Sequence, residues 1–82
     1  MNLTVTLSNT KAGLHLTDTN HGDATQIIIR FLQTQGIYGV NPTMVKMPSK
    51  NTGLKGVGYI ASKFELEDGE GESVTVTITE VI

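Results

Sequence analysis

Five acidic residues near the end of the chain have the chemistry to hold a hard cation. They fall within eight positions: Glu65, Glu67, Asp68, Glu70 and Glu72. Calcium requires several converging carboxylate oxygens, but the EF-hand spacing is absent, since no glycine lies at its sixth position and no acid at its twelfth. We therefore predict no metal site. The run is expected to form a solvated turn that contacts a basic protein partner or keeps a sheet edge from pairing with another chain.

Lysines dominate the stretch just before these acids. Residues 43–63 contain no acidic residue and four lysines: Lys46, Lys50, Lys55 and Lys63. We expect one of two arrangements. The lysines and the acids form separate patches that orient the protein toward a charged partner, or they neighbour one another across strands, where exposed ion pairs add little stability.

Catalytic and cofactor chemistry has no support in the remaining residues. The glycines at 53, 56 and 58 lack the Gly-Lys-Ser/Thr of a P-loop and the βαβ unit of a dinucleotide turn, so we predict a loop entering a strand, with a bulge near Gly58. The chain has no cysteine, and His15 and His21 lack the spacing of a zinc pair. No serine lies in a nucleophile elbow. We predict neither catalytic residues nor a cofactor.

Most elements that must position these residues are strands with period-two alternation. Leu3, Val5 and Leu7 alternate with polar residues, and residues 12–17 form the second strand of a predicted hairpin. Later, residues 57–67 form a long strand, residues 68–71 form a turn, and Val74 begins the clearest strand. Between them, Met44–Met47 is interpreted as an edge strand that Pro48 ends.

A helix is predicted from Asp23 to Gln35. Asp23 would cap its first turn with Gln26 completing a capping box, and Gly36 would follow its end as a left-handed residue with Ile37 packing beyond it. The predicted apolar stripe is Ala24, Ile27, Ile28, Phe31 and Leu32, with Ile29 off it. The β-branched triplet at 27–29 favours the alternative of a buried strand.

These elements predict an α+β fold: an antiparallel four- to five-stranded sheet with one helix packed on one face, in the order β-β-α-(β)-β-β. We expect residues 1–82 to form a single domain. Its predicted core is Leu3, Val5, Leu7, Leu14, Leu16, Ile28, Phe31, Leu32, Ile60, Phe64, Leu66, Val74, Val76 and Ile78.

Threonines repeat the strand alternation at both ends of the chain. If the terminal strands are neighbours, one sheet face opposite the helix carries Thr4, Thr6, Thr75, Thr77 and Thr79. A nearly uncharged, β-branched face is buried at modest desolvation cost. We therefore interpret it as a surface for a partner or for a sheet-on-sheet homodimer.

Elimination then directs the functional prediction. Eighty-two residues with a net charge of −2 and no cysteine indicate a small acidic protein, and we predict an intracellular, cytoplasmic location without membrane contact. We expect a non-enzymatic protein that binds a larger protein partner; its sharpest form is a virus-encoded accessory inhibitor that blocks a nuclease or defence complex in the host cytoplasm. The alternatives are a nucleic-acid-binding module using the lysine-bearing loop 46–63, and a structural subunit of a symmetric oligomer.

Overall fold

Five strands form one antiparallel sheet in the computed structural model, which describes residues 1–50 and 53–82. They are β1 (Asn2–Leu7), β2 (Gly13–Leu16), β3 (Leu54–Gly56), β4 (Tyr59–Glu67) and β5 (Ser73–Val81). Their spatial order is β2-β1-β5-β4-β3, so the strands from the two ends of the chain pair at the centre. The helix α1 (His21–Thr34) packs on one face of this sheet, which confirms the predicted α+β fold.

The core lies between α1 and the two central strands. Alternate side chains of β1 and β5 are buried there because successive residues of a strand point to opposite faces; they are Leu3, Val5, Leu7, Val74, Val76 and Ile78. The predicted core is largely confirmed. Four of its members are only partly buried and pack against the rim of this cluster: Leu14, Leu16, Phe31 and Phe64.

The helix begins two residues before the predicted start. Asn20, not Asp23, is its N-cap, and the Asn20 side chain accepts a hydrogen bond from the Asp23 backbone N–H at 2.9 Å. Asp23 lies three residues into the motif, where its carboxylate accepts from the Asn20 side-chain amide at 3.0 Å. Asparagine and aspartate both cap helices well, so residue type alone does not distinguish Asn20 from Asp23. The predicted cap at Asp23 is wrong.

The end of the helix follows the prediction. Gly36 adopts φ +82°, and the Ile37 N–H donates to the Leu32 carbonyl at 2.9 Å. The Gly36 N–H donates to Gln33, which completes the pair of bonds of a Schellman motif. Ile37 is thereby turned into the core, where it is completely buried.

The buried stripe of α1 is rotated from the predicted one. Ile29 is buried, with 9% of its surface exposed, whereas Ile27 is 37% exposed. The segment after the helix folds back to contact α1 and adds the buried Val45 to the core. The core therefore includes a residue from the segment after the helix as well as residues of α1 and the sheet.

The predicted edge strand at 44–47 is wrong. Residues Pro42–Met44 form a short 3₁₀ helix, capped by the Asn41 side chain, and the edge strand is instead β3. It pairs with residues 59–61 of β4 through a two-residue turn in which Gly58 has φ +80°. No bulge interrupts the described β4, which pairs continuously with β5 from Tyr59 to Glu67.

Two residues of the predicted lysine-bearing loop, Asn51 and Thr52, lie outside the described residues. Within the described part of the chain, no helix is long and apolar enough to cross a membrane.

Candidate functional site

The outer edge of β4 is only partly covered by another strand. β3 pairs with residues 59–61, and among the described residues no strand pairs with residues 62–67 on that side. The Asp68 N–H donates to the Glu72 carbonyl inside the β4–β5 hairpin. Because backbone groups alternate in direction along a strand, Leu66 and Phe64 also face β5. Lys63, Glu65 and Glu67 therefore direct their N–H and C=O groups to the uncovered edge.

A groove of about 460 Å³ runs beside this edge. One wall is formed by residues 65–68, and the other by Tyr38, Val40 and Met44 from the segment after the helix. Tyr38 is 68% exposed, so most of its aromatic side chain is accessible to a partner. We call these seven residues the acidic groove.

The acidic turn at the end of the groove is held in place by its own backbone. The Asp68 Oδ1 atom accepts hydrogen bonds from the N–H groups of Glu70 and Glu72, each at 2.9 Å. The Gly69 N–H donates to the Gly36 carbonyl at 3.0 Å, which ties the turn to the end of α1. Asp68 therefore has a structural role, because its carboxylate holds the turn through hydrogen bonds within the chain.

The potential at this end of the molecule is negative. The carbonyl end of α1 carries the negative pole of the helix dipole, and its last turn contains no basic residue. A second depression joins the acidic groove here and is lined by Gly36, Gly69 and Glu70. Acids beside a helix C-terminus disfavour folding slightly, so a basic partner would relieve this repulsion.

The predicted acidic residues do not converge on one point. Glu65 and Glu67 are exposed on β4, and the Ser73 hydroxyl donates to the Glu65 carboxylate at 3.2 Å. Glu70 and Glu72 are exposed in the turn. Among the described residues, no three side chains of the metal-binding types form a group that could hold an ion.

The predicted lysines fall on different surfaces. Lys55 lies opposite the buried Ile60, so it is on the helix side of the sheet, whereas Lys63 lies opposite Thr77 on the other side. The Lys46 ammonium donates to the Thr43 carbonyl at 3.1 Å, and Lys50 is exposed. The described lysines therefore do not form a single basic stripe of the kind that follows a nucleic-acid backbone.

The threonines do share one face, as their alternation predicts. Thr4 lies opposite Thr79, and Thr6 lies opposite Thr77, while Thr75 continues the row along β5. This open face also carries a depression of about 360 Å³ whose lining includes Leu54, Tyr59 and Ala61. His15 of β2 also lies on the open face, opposite Thr4, and its Nδ1 atom is 3.2 Å from the Thr4 hydroxyl.

Sequence reasoning missed the apolar wall of the acidic groove. The sequence pattern predicts no element at Val40, and it predicts a strand at Met44. The only signal was Tyr38, a large aromatic residue directly after the buried Ile37 that ends the helix motif.

Comparison with known proteins gives no relative: no family model, no curated protein and no solved structure matches this chain.

Proposed function

We propose that this protein is a non-catalytic binding domain that docks onto a basic segment of a larger protein through the acidic groove. The observation that carries the proposal is the composition of the groove: the exposed Tyr38 and Met44 line it together with three acidic residues, and none of its described lining residues is basic. Aromatic and methionine side chains are enriched at protein interfaces, and an uncompensated negative potential selects and steers a positive partner.

This proposal is favoured over the nucleic-acid alternative. The net charge of −2 repels phosphate, and Lys55 and Lys63 lie on opposite sides of the sheet. The narrower prediction of a virus-encoded inhibitor acting in the host cytoplasm stays a prediction, which the identity of the captured partner will check.

The test is affinity capture from nuclease-treated lysate of the source cells. One variant replaces Glu65, Glu67, Glu70 and Glu72 together by glutamine, and Asp68 is kept because its carboxylate holds the turn. We expect wild type to retain a basic protein and the variant to lose it. With the purified partner, association should slow about tenfold at low salt, and the difference should shrink as salt screens the charges.

The matched control removes the same number of charges of the opposite sign. A variant with glutamine at Lys46, Lys50, Lys55 and Lys63 should capture the partner as wild type does. All eight side chains are at the surface, so both variants should unfold within about 0.5 kcal/mol of wild type. Equal losses in the two variants would contradict the proposal, and a partner captured only from lysate without nuclease treatment would favour the nucleic-acid alternative.

A further inference from the structure

We infer that the partner binds as an extended strand that adds to the outer edge of β4, beside the acidic groove. This inference rests on the proposed function and specifies how the same site takes its ligand. An uncovered edge presents backbone donors and acceptors in a row, and proteins recognise extended peptides by completing such a ladder.

The geometry provides both requirements of strand addition. Lys63, Glu65 and Glu67 point their backbone groups outward, and β4 stays regular over this stretch, as its continuous pairing with β5 shows. Tyr38, Val40 and Met44 stand alongside, so side chains of an added strand would contact an apolar wall. The charged side chains of Lys63, Glu65 and Glu67 disfavour pairing with most strands, so the edge selects a strand of complementary charge. No bulge or proline lies in this part of β4 to block pairing altogether.

The alternation of β4 predicts the sequence pattern of the ligand. Residues opposite Glu65 and Glu67 would point to the open face, where lysine or arginine is the favourable cross-strand neighbour. Residues opposite Phe64 and Leu66 would point to the helix side, where Leu66 and Val40 favour apolar side chains. The ligand is therefore an extended segment in which basic and apolar residues alternate opposite residues 64–67, and in which no basic residue lies opposite Lys63.

A second copy of this chain fits the edge poorly. A two-fold pairing centred on Glu65 places that carboxylate opposite itself, which is destabilising. A pairing centred on Phe64 sets Lys63 opposite Glu65, which is favourable, but it ends there, because Glu67 would lie opposite Ala61, which already pairs with Leu54 of β3. A basic segment of another protein meets neither obstacle.

The probe is an end-capped eight-residue peptide of alternating lysine and valine, compared with a peptide that has the same residues in two blocks. We expect the alternating peptide to bind and to slow hydrogen exchange at the Glu65 and Glu67 amides about tenfold or more. The Gly13 and His15 amides at the outer edge of β2 are the internal control and should be unaffected. Tighter binding of the block peptide, or unchanged exchange at Glu65 and Glu67, would overturn the inference.

Backbone methylation provides a second readout that leaves the protein unaltered. One peptide is N-methylated at its lysines and another at its valines, so that each loses the N–H groups along one edge only. One set should abolish binding and the other should be tolerated, because an added strand bonds to β4 through a single edge. An equal effect of the two sets contradicts strand addition. Capture that is unaffected by the four glutamate substitutions would instead contradict the proposed function.

Discussion

The two outer edges of the sheet differ in almost every property that decides what an edge can bind. At β2 only Gly13 and His15 direct backbone groups outward, since Leu14 and Leu16 pair with β1. This edge carries no acid, and it lines neither the acidic groove nor the depressions beside Gly36 and on the threonine face. At β4 three consecutive outward positions lie beside an apolar wall and a cluster of acids.

This contrast indicates that an unpaired edge becomes a candidate binding site only when charged and apolar side chains lie beside it. A short neutral edge offers few hydrogen bonds and no side-chain contacts, so water competes with it effectively. The edge of β4 adds charge for selection and apolar surface for affinity. The following predictions test how far this contrast holds, beginning with the largest expected effect.

Buried side chains under the acidic groove should contribute more to the free energy of unfolding than the side chains under β2. Replacing the fully buried Ile37 by alanine should cost about 2–5 kcal/mol, because it leaves a cavity where α1 meets the sheet. Leu14→Ala on β2 should cost about half as much, since Leu14 is only partly buried. Urea unfolding measures both. Should Ile37→Ala not fold, Ile37→Val should cost about 0.5–1.5 kcal/mol; equal costs at the two positions would refute the contrast.

The apolar wall should contribute to affinity independently of the charges. Tyr38→Ala should weaken binding of the captured partner about tenfold, because exposed tyrosines often supply much of the energy of an interface. Its side chain is mostly exposed, so the thermal midpoint should barely change. His15→Ala at the other edge is the control and should bind as wild type does. Calorimetric titration reports both affinities, and a Tyr38→Ala variant of full affinity would confine recognition to backbone and charge.

The beginning of α1, directly after the turn that leaves β2, tests the corrected cap. Asn20→Ala should cost about 1 kcal/mol, within the usual range for loss of an N-cap. Asp23→Ala should cost roughly half of that, because its carboxylate only accepts from the Asn20 side chain and favours the helix N-terminus by charge. Chemical denaturation ranks the two variants. The reverse order would restore Asp23 as the cap.

The open threonine face separates partner binding from self-association. Thr77→Lys places an ammonium group opposite that of Lys63, so it should lower the unfolding free energy of a monomer by less than about 1 kcal/mol. In a sheet-packed dimer it would bury two unpaired ammonium groups at a cost of several kcal/mol, so the dimer should dissociate. Sedimentation of the two proteins at matched concentration checks this. A wild-type dimer that survives the substitution places its interface at another surface.

Several elements of this fold can be predicted from local sequence patterns alone. The alternation in β1, β4 and β5 predicts their buried faces because a strand has a period of two. Gly36 and Ile37 predict the end of the helix because the motif needs a left-handed residue followed by an apolar one. The start of the helix has no single local signal, because Asn20 and Asp23 are both residue types that cap helices well.

Local patterns do not predict which strand lies at each edge of the sheet or which residues lie beside that edge. Both depend on contacts in the tertiary structure. The 44–47 segment has a strand-like composition, yet the capped turn after Asn41 and the burial of Val45 prevent it from pairing. Ile29 is buried although it lies off the stripe that the local pattern predicts, and the chain after the helix folds back onto α1. The acidic groove depends on three long-range choices: the central pairing of β1 with β5, the short reach of β3, and the bond from Gly69 to Gly36. Contacts between residues so distant in sequence leave no local pattern, because their energy comes from packing rather than from propensity.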